Sequence, residues 1–121
     1  MHYALLIYSA PDAPDEPTPG DGVIESWVAY TEAMRRAGAL VTAEQLELID
    51  TATSVRVRGG ERLLTDGPFI ETKEHLLGFY LLDVPDLDTA IDWAARMPSA
   101  RRGTVEVRPL KRDGPWRRIL D

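Results

Sequence analysis

Leu76-Leu77-Gly78-Phe79-Tyr80-Leu81-Leu82 is the stretch on which the rest of the chain is organised. It reads as a strand of unusual apolarity. Its residues do not alternate with polar ones, so both faces are expected to be covered. Tyr3-Ala4-Leu5-Leu6-Ile7-Tyr8 has the same two-faced character. Two such strands are expected side by side at the centre of one sheet.

The flanking sequence supplies the remaining elements. Asp21 can cap a helix running to about Ala37, with Gly38 as its stop and Val23, Trp27, Tyr30, Met34 and Ala37 on one face. Leu40-Val41-Thr42 starts another strand, and the segment on to Ile49 is ambiguous. Ser54 to Arg58 and Glu61 to Thr65, joined by Gly59-Gly60, read as a hairpin. Pro85-Asp86 opens a second helix with Leu87, Ala90, Ile91, Ala94 and Met97 on its inner face, and Pro98 helps to stop it. Thr104 to Leu110 is the last strand. The order is βαββαβ with one inserted hairpin, an α+β ferredoxin-like arrangement. Two helices then cover one face of an antiparallel sheet. No third helix covers the other, and the economical cover is a second copy of the sheet, giving a homodimer.

With 121 residues, 44% apolar and 28% charged, the chain reads as one soluble domain over residues 1–121, with 111–121 as a C-terminal tail. No run reaches the ~18 apolar residues of a membrane helix, and the N-terminus has no export-signal pattern. Neither a membrane partner nor export is expected. Zero cysteines excludes disulfides and thiolate chemistry and fits a cytoplasmic protein. A formal charge of -6 argues against nucleic acid. Residues 101–121 nevertheless carry seven Lys/Arg against three Asp/Glu. This basic end either docks on an acidic surface or is simply solvated.

Asp66-Gly67-Pro68-Phe69, followed by Ile70-Glu71-Thr72-Lys73-Glu74-His75, is the chemical centre of the sequence. Proline fixes its own φ and restricts the residue before it, so Gly-Pro sets a loop shape that can present ionisable groups. Asp66, Glu74 and His75 are the catalytic candidates. Asp66 could instead cap its turn, and Glu71, Lys73 and Glu74 could form a solvated edge with a local ion pair. On the last strand Val105 and Val107 should face the helices. That sends Glu106 and Arg108 to the opposite face, where they are ligand-binding candidates or a rim ion pair. Tyr8 joins them, its hydroxyl expected to share a space with that of Tyr80, although both could be core aromatics. Asp66, the segment from Glu71 to Glu74 and Arg108 are expected to border one cavity able to take a small anionic ligand. With only His2 and His75, and no Gly-rich phosphate loop, no metal site or cofactor is assigned. Asp113-Gly114-Pro115-Trp116 echoes the central motif as a common turn composition.

The opening strand Tyr3 to Tyr8, the core from Leu64 to Glu74, Gly78-Phe79-Tyr80, Ala90 to Ala94 and the ending Val105 to Leu110 together resemble the YCII-related, or DGPF-domain, family of small bacterial proteins. The resemblance spans roughly residues 3–110. It implies a dimeric α/β barrel of ferredoxin-like halves and no single common reaction. Leu77 departs from it, standing where a small residue is usual, which would narrow a cavity on its face. Two functions follow as expectations. One is an enzyme moving protons on a small molecule in the dimer-barrel pocket, as an isomerase, lyase or hydrolase. The other is a non-catalytic ligand-binding or regulatory module, which the resemblance links to sigma-factor regulation.

Overall fold

The structure, a computed structural model, describes residues 1–10, 20, 22–70 and 72–120. Its elements are β1 (His2–Tyr8), α1 (Val23–Arg36), β2 (Leu40–Gln45), a 3-10 turn (Ile49–Thr51), β3 (Thr53–Arg58), β4 (Glu61–Asp66), β5 (Leu76–Asp83), α2 (Leu87–Arg96), β6 (Thr104–Pro109) and α3 (Pro115–Leu120). A four-stranded antiparallel sheet runs β2-β5-β1-β6, and β3 and β4 form a separate two-stranded hairpin. The two most apolar strands are therefore central. This is the ferredoxin-like α+β fold with a hairpin inserted between β2 and β5.

Strand alternation decides what each face does. Tyr3, Leu5 and Ile7 of β1 lie opposite Leu82, Tyr80 and Gly78 of β5, and these strands face the helices through one core with Tyr30, Met34, Ala90, Trp93, Ala94 and Met97. Val105 and Val107 of β6 join from the edge, opposite Ile7 and Leu5. Both helices lie on this face. The Tyr30 hydroxyl donates to the Trp93 carbonyl at 2.7 Å, tying α1 to α2. Trp27, Tyr30, Tyr80 and Trp93 pack as a connected aromatic group with centroid separations of 5.6–6.1 Å.

Several details differ from the sequence reading. Tyr80 faces the helices and shares a 2.6 Å hydrogen bond with Thr31, so its hydroxyl does not share a space with that of Tyr8. A register irregularity follows Ile7, and Tyr8 pairs with Leu76 on the opposite face. In α2 the buried aromatic is Trp93, whereas Leu87 and Ile91 are about half exposed. A ten-residue helix resting on a twisted sheet buries a narrow stripe, and the large Trp93 ring takes the place at its centre. Leu77 packs against the core cluster, so it does not stand free to narrow the outer face. Finally, the tail contains α3, which starts at Pro115 after the turn at Gly114. Proline suits a first helical position because no intrahelical partner waits for its missing N–H.

Helix α1 stops as expected at Gly38, which has φ 72. Its proposed cap Asp21 lies outside the described residues, as do residues 11–19 and Glu71. Helix α2 is capped by Asp86, whose side chain accepts from the Thr89 N–H at 2.9 Å and the Thr89 hydroxyl at 2.7 Å. These contacts hold the Asp86 carboxyl below its ordinary range.

Candidate functional site

The outer face of the sheet carries the polar groups. It holds Ala4, Leu6 and Tyr8 of β1, Phe79 and Leu81 of β5, Thr42 and Glu44 of β2, and Thr104, Glu106 and Arg108 of β6, by direct register. Its centre is apolar and only partly exposed. Its polar groups lie mainly on the two edge strands, Thr42 and Glu44 on β2 and Thr104, Glu106 and Arg108 on β6, with Tyr8 at the end of β1.

At one end of β6 Tyr8 lies opposite Thr104. The Thr104 hydroxyl sits 3.0 and 3.2 Å from the two oxygens of the Glu74 carboxylate, to which it donates at the exposed end of the sheet. His75 follows and is half-buried, with Nδ1 shielded from solvent. Its backbone is fixed to Ser9 in both directions. The Ser9 N–H donates to the His75 carbonyl at 2.9 Å, and the His75 N–H donates to the Ser9 hydroxyl at 3.1 Å. The Thr72 hydroxyl donates to the Glu74 carbonyl. Gly103 makes the approach possible. A Cβ there would collide with the Tyr8 carbonyl oxygen. Only glycine lets β6 start this close to the end of β1, and that closeness sets Thr104 beside Tyr8 and Glu74.

At the other end Arg108 donates from Nε to Glu106 at 2.7 Å and closes a second contact from its terminal nitrogen. Glu106 is 35% exposed and Arg108 66%. The pair is local to its strand. Arg108 lies opposite Ala4, four residues along β1 from Tyr8, which separates the two ends by roughly 13 Å of strand.

The structure thus gathers Tyr8, Glu74 and His75 at one end of the sheet and pairs Glu106 with Arg108 at the other. Asp66 is elsewhere. It ends β4, exposed, opposite Thr53. The turn after it is held by the Gly67 N–H on the Ala52 carbonyl at 2.7 Å and by the Ser54 hydroxyl on the Gly67 carbonyl at 2.8 Å. Lys73 is exposed in the segment leading to β5. Thr104, Ser9 and Gly103 were not singled out by sequence. Alternation along β6 already places Thr104 with Glu106 and Arg108, but its partner Glu74 is 30 residues away.

An open groove of about 650 Å³ lies instead along the hairpin, lined by Thr53 to Arg58 and Phe69. The Arg56 guanidinium stands over the Phe69 ring, 4.9 Å from its centroid. None of the candidate acid–base residues lines it. Among the described residues no group of three or more His, Asp or Glu is arranged to hold a metal ion. No described helix is long and apolar enough to cross a membrane.

Comparison with known proteins shows the family of the chain. An uncharacterized protein of Rhizobium meliloti (strain 1021) is 37% identical over 114 residues, which cover 91% of this chain and 92% of that protein. The YCII-related domain matches residues 1–117, taking in the whole sheet, both core helices and the hairpin. The chain belongs to the YCII-related family.

Proposed function

We propose that the protein moves a proton on a small molecule in a cleft formed when two copies pack through their outer sheet faces, with Glu74 as the acid–base group. The observation that carries this reading is the Glu74 carboxylate held by the Thr104 hydroxyl beside Tyr8. A carboxylate with a donor on its oxygens is fixed in direction, which suits a general base working at close range. Tyr8 supplies a neutral donor on the same face, and His75 stands next in sequence as a second acid–base group.

Dimerisation supports the reading because a one-sided sheet leaves Leu6, Phe79 and Leu81 in contact with water. Packing against the same face of a second copy covers them and converts the polar ends into the mouths of a cleft. The Glu106–Arg108 pair forms the rim at the far end. A small anionic ligand reaching it would compete with Glu106 for the guanidinium. Arg108→Ala should then weaken binding of that ligand and leave the dimer intact. We assign the protein to a bacterial cytoplasm, on its lack of cysteine and its Rhizobium relative.

The test is hydrogen–deuterium exchange at carbon. Small ketones and keto acids with an acidic C–H are incubated with the protein in D₂O and followed by NMR. Exchange with the wild type, lost in Glu74→Gln, is the expected result. Ligand binding without exchange in any compound would instead favour the non-catalytic binding or regulatory module.

A further inference from the structure

The groove beside hairpin β3–β4 follows a bare strand edge. Its wall takes in every residue from Thr53 to Arg58, from both faces of β3, together with Phe69 and no residue of β4. The edge of β3 that points away from β4 meets that description. The Gly59-Gly60 turn has positive φ at both positions, so Arg58 and Glu61 beside it exchange backbone hydrogen bonds. Arg56 and Ser54 follow with the same parity, and the 2.7 Å bond from the Gly67 N–H to the Ala52 carbonyl continues the series. The backbone groups of Thr53, Val55 and Val57 therefore point the other way, into the groove. Among the described residues one group answers them. The Arg58 guanidinium donates to the Val57 carbonyl at 2.9 Å.

The groove also carries positive charge without a counter-charge. Arg56 lies over the Phe69 ring and Arg58 over its own strand edge, and no described carboxylate forms an ion pair with either. Both arginines share one face of β3. Val55 and Val57 share the other, where Arg62 and Asp66 stand on β4, one strand further from the groove.

These groups select the occupant. A small anion would use the guanidiniums and leave the carbonyls of Thr53 and Val55 unanswered. An extended main chain presents an N–H and a C=O at every second residue and answers both. The edge spans about 20 Å, room for about six residues of added strand. A second copy of β3 fits badly. Antiparallel pairing would set Arg56 and Arg58 of both chains on one face, where like charges across strands repel. Acidic side chains suit that face instead.

The geometry points to a peptide-docking edge: β3 accepts an extended acidic peptide as an added antiparallel strand, with acidic side chains on the Arg56–Arg58 face and apolar ones beside Val55 and Val57. An acid reaching Arg58 draws its guanidinium off the Val57 carbonyl and frees that carbonyl for the incoming strand. The Asp66–Phe69 loop then has a task apart from the sheet site. It holds Phe69 as the wall of the groove through the Gly67–Ala52 and Ser54–Gly67 bonds.

The probe is a fluorophore-labelled peptide of four Glu-Val repeats, capped at both ends and titrated with the whole chain by fluorescence anisotropy. Saturable binding is expected, and a Lys-Val repeat should bind about ten-fold more weakly. Arg56→Glu combined with Arg58→Glu should exchange the two preferences. N-methylation at the peptide valines, whose N–H groups would face β3, should abolish binding, whereas N-methylation at the glutamates should change it little. Val55→Pro removes an N–H that β4 does not use, so it should weaken binding about ten-fold with the hairpin kept. No binding to the wild type at about 1 mM peptide overturns the proposal, as does equal affinity for the valine-methylated peptide. A change in the sedimentation of peptide-free protein on Val55→Pro would give the edge to a second copy and overturn it too.

Discussion

Thr104 and Glu74 meet although 30 residues separate them, the hydroxyl of one lying 3.0 and 3.2 Å from the two carboxylate oxygens of the other. The bond joins the first residue of edge strand β6 to the segment that enters central strand β5. It is the link that turns the end of the sheet into a site, because it aims a carboxylate that would otherwise swing in solvent.

Removing the donor and removing the base should therefore differ. Glu74→Gln should abolish C–H exchange. Thr104→Val should reduce it by about ten-fold and lower stability by about 0.5–1.5 kcal/mol, the usual net worth of one hydrogen bond. Exchange rates and thermal unfolding of the two variants measure this. Equal rates in Thr104→Val and wild type would show that Glu74 needs no orientation.

Gly103→Ala should be more damaging than its single methyl suggests. The new Cβ meets the Tyr8 carbonyl, a backbone atom that cannot rotate away. Strand β6 must shift from β1, at a cost of about 1–3 kcal/mol. Amide exchange should show protection lost first at the Tyr8–Thr104 end. An unchanged melting temperature would mean that the start of β6 moves freely.

Gly67 tests backbone shape without crowding. It has φ 92, and a Cβ there meets no atom within 4 Å. Gly67→Val should still cost about 1–3 kcal/mol, because a β-branched residue is strained in that region. Urea unfolding gives the value. A variant as stable as wild type would show that the loop relaxes to a different shape.

The acid limb of stability should contain Asp86. Hydrogen bonds from Thr89 lower its folded pKa, so its stabilisation is present above the unfolded value near 4 and is lost as pH falls through the folded value. Asp86→Ala should melt below wild type at pH 7, and the gap should close as pH falls below about 4. A gap independent of pH would assign the effect to helix propensity instead.

At the alkaline end Tyr30 acts in the opposite sense. Burial, then the neighbouring Tyr80, raise its phenol well above the ordinary range, and its hydroxyl donates to the Trp93 carbonyl. A raised folded pKa contributes stability that is complete below the unfolded value near 10 and is lost as pH climbs past it. Tyr30→Phe should lose about 1 kcal/mol at pH 7 and show a shallower decline above about pH 10 than wild type. Parallel curves for the two proteins would remove Tyr30 from the alkaline transition.

Local pattern was enough for the order of elements. Leu76 to Leu82 and Tyr3 to Tyr8 had to be central because neither alternates, and Val105 and Val107 had to face the helices because Glu106 and Arg108 could not. Glycine and proline punctuation marked the hairpin and helix ends, since backbone geometry acts within a few residues. The site was legible only in part. Tyr8, Glu74 and His75 stood out by residue type, but their convergence depends on register. The irregularity after Ile7 and the close Gly103 approach set that register, and neither has a local signature. Tyr80 shows the limit most plainly. Alone it reads like Tyr8, yet its position opposite Leu5 turns it to the helices and to Thr31. Periodicity along a strand tells which residues share a face; which face meets the helices, and what meets it across the fold, is decided only when the strands pair.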